Sequence, residues 1–506
     1  MPDPLLLLLL LLPLIPLVAV VLHASPIKAT LGSVKSGLAS VLSAVWKQQP
    51  AIILVTDLAT AHRLLVRGAT AGSGSGSFSN RPPSISPSAI LSRRRYQNIT
   101  SAPYGQHWRA MRHNLTSEIL HPARLHRYAA ARRRAVRGLV HDLDEQRRLS
   151  GAVQAGKSIH YAMFGLVAAM CFGDGLDGGR VRAMADEQRD LGKSLDAALV
   201  FANAKFLAVT RLIYRKKWKK LAALRQKQEE TFLPLIDSRR GQSSEPPAYV
   251  DTLIDLEVPD DAPGASDARR RRRLSDGELV GMCSEFLGTG TESTASALQW
   301  TMANLVKRPH LQEAVRREID AAVAADAEEV GEDVLVKLEY LNAVIMEALR
   351  LHPPTSWVFR QVMEEDHVVH NGQHVPAGTR VFFQLGALAR DSAAWDDPDE
   401  FKPERFLAGS KGEQLVLAAA GGGDIKMMPF GGGRRMCPAR DIAMLHIRYF
   451  AANLVREFHW REAEGDLAVD LEPQAEMIFS AMKRPLRAHL DLGRPGVKTT
   501  QGTHRL

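Results

Sequence analysis

Apolar residues along this chain recur mostly at helical spacing, with a few short alternating stretches between. Residues 120–240 keep the helical period almost throughout, with Tyr161-Ala162-Met163-Phe164 and Met170-Cys171-Phe172 supplying apolar faces. Ser275-Asp276-Gly277-Glu278 is a capping box, and no proline follows until Pro309, so a helix about 50 Å long is predicted at ~1.5 Å per residue. Residues 341–351 form another helix, and Ile442, Leu445, Tyr449, Ala452 and Val455 mark one more. Strand character is confined to residues 51–56, a hairpin over 368–375 turning at Asn371-Gly372, and residues 380–384. The reading is a mainly α protein with small β-sheets, an α+β fold built around one long central helix.

Residues 5–22 are different in kind: an uncharged apolar run broken only by Pro13 and Pro16, close to the ~20 residues of a membrane span. Asp3 is the only charge before it, no small-residue cleavage site follows, and Lys28, Lys35 and Lys47 come after. That pattern predicts a retained single-pass anchor with the C-terminal body in the cytosol. The expected organisation is an anchor over 1–24, a short hinge over 25–50, one large domain over 51–490 and a tail over 491–506.

Composition adds limits. With 506 residues, 45% hydrophobic and 24% charged, the chain can build a large core. Its net charge of +9 is concentrated at residues 93–95, 132–134, 215–220 and 269–273. No groove-reading helix, zinc finger or aromatic-interleaved strand accompanies the charge, so nucleic acid is not an expected partner. Most of these runs read as solvated faces, with residues 215–220 suited to anionic headgroups. Cys171, Cys283 and Cys437 are odd in number and far apart in sequence, which excludes a disulfide framework or a cysteine-rich zinc cluster and points to a reducing compartment.

The candidate chemistry lies in four segments. Pro429-Phe430-Gly431-Gly432-Gly433-Arg434-Arg435-Met436-Cys437 is a glycine-rich loop that delivers one cysteine to a helix start, where the dipole favours a thiolate. Its glycines allow close approach to a flat partner, and its arginines can neutralise carboxylates. On its own it is equally a surface turn beside a buried cysteine. Trp108 and Arg112 lie four apart on one helical face, able to bind a carboxylate together or to be an ordinary Trp with a surface Arg. Gly288-Thr289-Gly290-Thr291-Glu292-Ser293-Thr294 sits mid-helix although each glycine costs about 1 kcal/mol against alanine. Close helix packing explains the glycines, whereas an acid with neighbouring hydroxyls suits proton delivery. Glu347 and Arg350 lie three apart, followed by His352-Pro353-Pro354.

Together these segments resemble the signatures of the cytochrome P-450 superfamily, over about residues 52–486 and most closely its plant A-type microsomal members. The latter likeness rests on Ala102-Pro103-Tyr104-Gly105, Ser284-Glu285-Phe286-Leu287 and Leu298-Gln299-Trp300. The resemblance implies haem b held by Cys437 as axial thiolate, with Phe430, Gly433, Arg435 and Ala439 in the haem loop, Ala439 replacing the usual glycine. It carries propionate binding to Trp108 and Arg112, with Arg360 reaching the second propionate or a sheet salt bridge. It gives oxygen activation to Glu292, Ser293 and Thr294, serine standing where threonine is usual, and places Glu347, Arg350 and Arg405 in a structural triad. Phe286, Thr289, Thr355, Trp357, Val358 and Phe479 would line the substrate pocket, roofed by the turns bearing Phe201, Phe206 and Ile213. The implied enzyme is a monooxygenase inserting one atom of O2 into a small hydrophobic substrate. Its electrons would come from NADPH through NADPH-cytochrome reductase, facing exposed Arg109, at the cytosolic side of the endoplasmic reticulum membrane. A haem-thiolate isomerase or dehydratase and a catalytically impaired haem-binding relative are the alternatives; the first tends to lack an acid and hydroxyl such as Glu292 and Ser293.

Overall fold

The computed structural model describes residues 51–66, 78–82, 98–194, 201, 207–242, 246–260, 270–363, 369–370, 373–407, 425–465, 468–474 and 479–493. The anchor, hinge, Gly/Ser tract of 71–77, arginines 93–95, Phe206, the Asn371-Gly372 turn and most of the tail lie outside them. From Ile52 onward the chain forms one compact unit.

A three-stranded sheet joins the start of this unit to residues 357–384. β1 (Ile52–Val55) runs parallel to β3 (Arg380–Gln384), which pairs antiparallel with β2 (Trp357–Gln361), in the order β1-β3-β2. Ile52 stands opposite Arg380, and Phe382 opposite Phe359. α1 (Leu58–Leu65) follows β1 and is capped by Asp57, whose carboxylate accepts the Thr60 N–H at 2.8 Å. With Phe78, Val362, Val375, Val381 and Phe383 it forms a second, smaller core beside the sheet.

The main core is helical. α2 (Gln106–Asn114), α3 (Ala129–Ser150), α4 (Ala155–Phe172), α5 (Gly178–Lys193) and α6 (Arg215–Arg239) precede the long helix α7 (Asp276–Lys307). After it come α8 (Pro309–Ala322), α9 (Glu339–Leu351) and α10 (Arg440–Glu457). Ser275 and Glu278 cap α7 reciprocally, as the capping box predicts, and its 32 residues run against α4, α6, α9 and α10. α4 is apolar on nearly every side because it is enclosed by α3, α5 and α7. Among the described residues it is the one helix long and apolar enough to cross a membrane, and 72% of it is buried inside the fold.

The cysteines keep to the sequence reading, while one charge expectation changes. Cys171 of α4 and Cys283 of α7, remote in sequence, are free thiols in hydrogen-bond contact, and burial drives the Cys171 thiol well above its ordinary value. The arginines at 132–134 are only in part a solvated face, Arg133 and Arg134 being about half exposed. Arg132 is fully buried and forks onto Glu332 at 2.8 and 2.9 Å, while Arg133 reaches Glu329 at 2.6 Å. Both glutamates come from the loop that follows α8, so this stretch of positive charge binds the domain to itself.

Candidate functional site

Residues 428–437 form the loop between the sheet and α10. The Cys437 N–H donates to the Phe430 carbonyl at 2.9 Å and the Met436 N–H to Gly433 at 3.0 Å, closing the loop into a tight frame. Gly433 is required twice over: its φ is +68°, and a Cβ there would lie 2.5 Å from the Leu65 carbonyl oxygen of α1. Gly433→Ala is therefore expected to cost about 2 kcal/mol or more and to displace the loop from α1. A lowered unfolding temperature is the expected outcome, read by thermal denaturation. Ala439, by contrast, has φ −96°, a conformation any residue adopts, so the backbone there does not require glycine.

The loop and the middle of α7 both line a cavity of about 310 Å³. Trp108, Arg112, Phe430, Arg435, Cys437 and Ala439 line it, as do Phe286, Thr289, Gly290, Ser293, Thr294, Thr355, Trp357, Val358, Arg360 and Phe479. Phe479 is held there by a bridge to Thr355. A larger groove of about 760 Å³ between α3, α4 and α5 contains neither the cysteine nor the α7 hydroxyls.

Several predicted residues take other positions. Phe201 is buried away from the cavity, stacked edge-on against Trp218 at 5.0 Å, and Ile213 is exposed, so neither roofs it. Glu292 does not line the cavity; its Oε1 lies 2.8 Å from His160 Nε2 on α4. Gly290 lines the cavity and also packs close to α4, where a Cβ would meet Val167 at 3.2 Å, as the packing reading of that glycine expects. The Ser293 hydroxyl donates to the Thr289 carbonyl at 2.8 Å, one turn back, which fixes its rotamer without threonine's methyl. Glu347, Arg350 and Arg405 lie outside the cavity. Arg350 forks onto Glu347 at 2.7 and 2.8 Å, Arg405 Nε reaches it at 3.3 Å, and the first two side chains are completely buried.

Charge is what distinguishes the cavity from an ordinary apolar pocket. Arg81, Arg112, Arg360 and Arg435 line it against a single carboxylate, Glu285. Burial, then the mutual repulsion of these guanidiniums, pulls Arg435 down to about 9 and Arg360 well below its usual range. Many of their N–H groups go to backbone carbonyls: Arg435 to Ser79, Ile99 and Ala102, Arg360 to Phe359 and Gly432, and Arg112 to Met436 at 2.7 Å. The Trp108 indole N–H donates to the Ile99 carbonyl at 3.0 Å, so Trp108 here braces the loop and supports Arg112 and Arg435 by its ring face. Sequence reasoning missed Arg81 and the role of Glu285. Arg81 sits in Phe78-Ser79-Asn80-Arg81-Pro82, where nothing local marks it. Glu285 accepts the Ile99 and Thr100 N–H groups at 2.9 and 2.6 Å, and burial still holds its carboxyl above the usual range.

Burial also pushes the Cys437 thiol up, against the opposing pull of the Ala439 N–H, Arg112, Arg81 and Arg440. A cation bound in the cavity would favour the thiolate. A buried surplus of guanidiniums beside a thiol suits a group carrying both a metal cation and carboxylates. The residues present thus fit an iron porphyrin with two propionates.

The cytochrome P-450 family profile matches residues 43–488, and the chain belongs to that family of haem monooxygenases. Cytochrome P-450 89A9 of Arabidopsis thaliana is 37% identical over 443 residues, covering 87% of this chain and 84% of the relative. Flavonoid 3'-monooxygenase of the same plant is 30% identical over 394 residues, covering 77% and 74%. The likeness to plant A-type members read from the sequence is thus borne out. Among solved structures, a zebrafish cytochrome P-450 with progesterone superimposes with a TM-score of 0.67 at 20% identity, over 86% of this chain and 93% of that one. The fold is the cytochrome P-450 fold, mostly helical with small sheets.

Proposed function

We propose that this chain uses haem b, ligated by Cys437, to insert one atom of O2 into a small hydrophobic molecule, with electrons from NADPH delivered by NADPH-cytochrome reductase. The observation that carries the reading is that Cys437, Ser293, Thr294 and a surplus of buried arginine line one cavity. Arg81, Arg112, Arg360 and Arg435 would hold the propionates, and Phe430 and Ala439 would flank the ligand. The haem supplies oxygen binding and reductive O–O cleavage, which a thiolate ligand favours.

The chain's own contribution is placement and proton supply. Phe286, Trp357, Val358 and Phe479 offer an apolar wall that would desolvate and orient the substrate, with Thr289 and Thr355 as its polar contacts. Glu292, Ser293 and Thr294 would bring protons to the cavity. The Glu347, Arg350 and Arg405 triad would hold the scaffold beneath. Arg109 and Arg434 both donate to the Tyr104 hydroxyl, at 3.3 and 2.8 Å, and form an exposed cationic patch suited to an acidic reductase surface.

The apolar run of residues 5–22 supports a membrane-anchored enzyme at the endoplasmic reticulum with its catalytic body in the cytosol. The domain layout then stays as anchor 1–24, hinge 25–50, catalytic domain 51–490 and tail 491–506. Reconstitution with the reductase tests the reading. NADPH consumption that requires reductase, rises with an apolar substrate and yields an oxygenated product is expected; peroxide rearrangement without reductase, or bound haem with no turnover, would replace it by one of the alternatives.

A further inference from the structure

One buried histidine outside the cavity is engaged at both ring nitrogens. His160 of α4 places Nε2 at 2.8 Å from Glu292 Oε1 on α7 and Nδ1 at 2.8 Å from Arg189 Nη2 on α5. A guanidinium only donates, so Nδ1 must accept, and the ring hydrogen is left on Nε2, donated to Glu292. Arg189 is itself held: Nη1 lies 3.1 Å from Asp186 Oδ1, its guanidinium stands 5.5 Å from the Tyr161 ring centroid, and the Tyr161 hydroxyl donates to the same Asp186 oxygen at 2.9 Å. Lys157 lies over the other part of that ring environment, 5.8 Å from its centroid. The charged groups around the imidazole are therefore Glu292 from α7, Arg189 and Asp186 from α5, and Lys157 from α4. Helices α4 and α7 meet at Gly290 and Val167, so the His160–Glu292 bond spans a crossing with little freedom to shift.

We infer that His160 is a positioning residue for Glu292: locked by Arg189 as the Nε2–H tautomer, it fixes the rotamer of the acid that stands next to Ser293. This rests on the proposed role of Glu292 and Ser293 in proton supply. A carboxylate on the outer side of α7, without that bond, would sample several rotamers and present itself to the Ser293 turn only part of the time. Because Arg189 occupies Nδ1, His160 orients the acid and does not carry protons inward from solvent.

The test uses the full-length, haem-loaded protein with reductase, reading hydrogen peroxide released per NADPH oxidised in buffer without added substrate. Imidazole NMR of 15N-histidine-labelled holoprotein gives an independent readout. The wild type is expected to show His160 as the Nε2–H tautomer. His160→Ala raises the peroxide fraction about threefold while the reduced carbon-monoxide spectrum is unchanged. His160→Gln, whose amide can donate to Glu292 and accept from Arg189 but cannot carry a proton, restores it to near the wild-type value. A wild-type Nδ1–H tautomer, or a His160→Gln variant as impaired as His160→Ala, overturns the inference. If Glu292→Ala raises the peroxide fraction and His160→Ala does not, the inference alone fails. If Glu292→Ala changes nothing, the proposed proton supply fails and the inference with it.

Discussion

Cys437→Ser is expected to abolish the long-wavelength carbon-monoxide band of the reduced protein and all monooxygenase turnover. Serine keeps the side-chain volume but offers a hydroxyl that does not ionise at neutral pH and lacks the electron donation of a thiolate. The frame around it does not depend on the sulfur: the backbone bonds to Phe430 and Gly433, the positive φ of Gly433 and the buried side chain of Arg435 are all retained. The folded protein should therefore still accumulate, with haem either lost or giving only a short-wavelength band. Unchanged spectra would remove Cys437 from the ligand position and with it the proposed chemistry.

Glu347→Gln should prevent stable folding. Glu347 accepts two bonds from Arg350, one from Arg405 and one from the Lys402 N–H at 2.8 Å, in a site from which solvent is absent. Neutralising it leaves the fully buried Arg350 without its counter-charge, a loss of about 3–5 kcal/mol. Against a total stability of about 5–15 kcal/mol, that is enough to deplete the native state during expression. The Lys307–Glu462 pair at 2.8 Å is a useful contrast, since both side chains are about one-third exposed, 36% and 33%. Glu462→Gln should change stability by less than ~1 kcal/mol. Yield of haem-loaded protein and denaturant midpoints measured side by side decide the matter, and equal behaviour of the two variants would show that the triad is dispensable.

The positions legible in advance were those where one short segment carries its own constraint. α7 announced itself by a capping box and an unbroken helical period, and its observed bounds lie within two residues of that reading. The loop before α10 was legible because positive φ and close backbone contact admit only glycine at Gly433. The apolar candidates from Phe286 to Phe479 reached one cavity because each occupies a recognisable motif or its flank.

Where the partners are far apart in sequence, local pattern was silent. The bonds of Arg435 to carbonyls more than 330 positions away and the capture of Glu292 by His160 across 132 positions belong to this class. So do the thiol contact of Cys171 with Cys283 and the burial of Arg132 against Glu332.

The sequence by itself determined the family, the helical class, the cysteine that faces the cavity and the hydroxyl-bearing turn that also lines it. Those follow from backbone requirements and periodicity, which act over a few residues. Only the tertiary structure decided the electrostatics of the site: which arginines crowd it, that burial pushes the Cys437 thiol up, and which way Glu292 faces. A charge's free energy depends on how much water is removed and on what lies within a few ångströms, and neither is a property of neighbours along the chain.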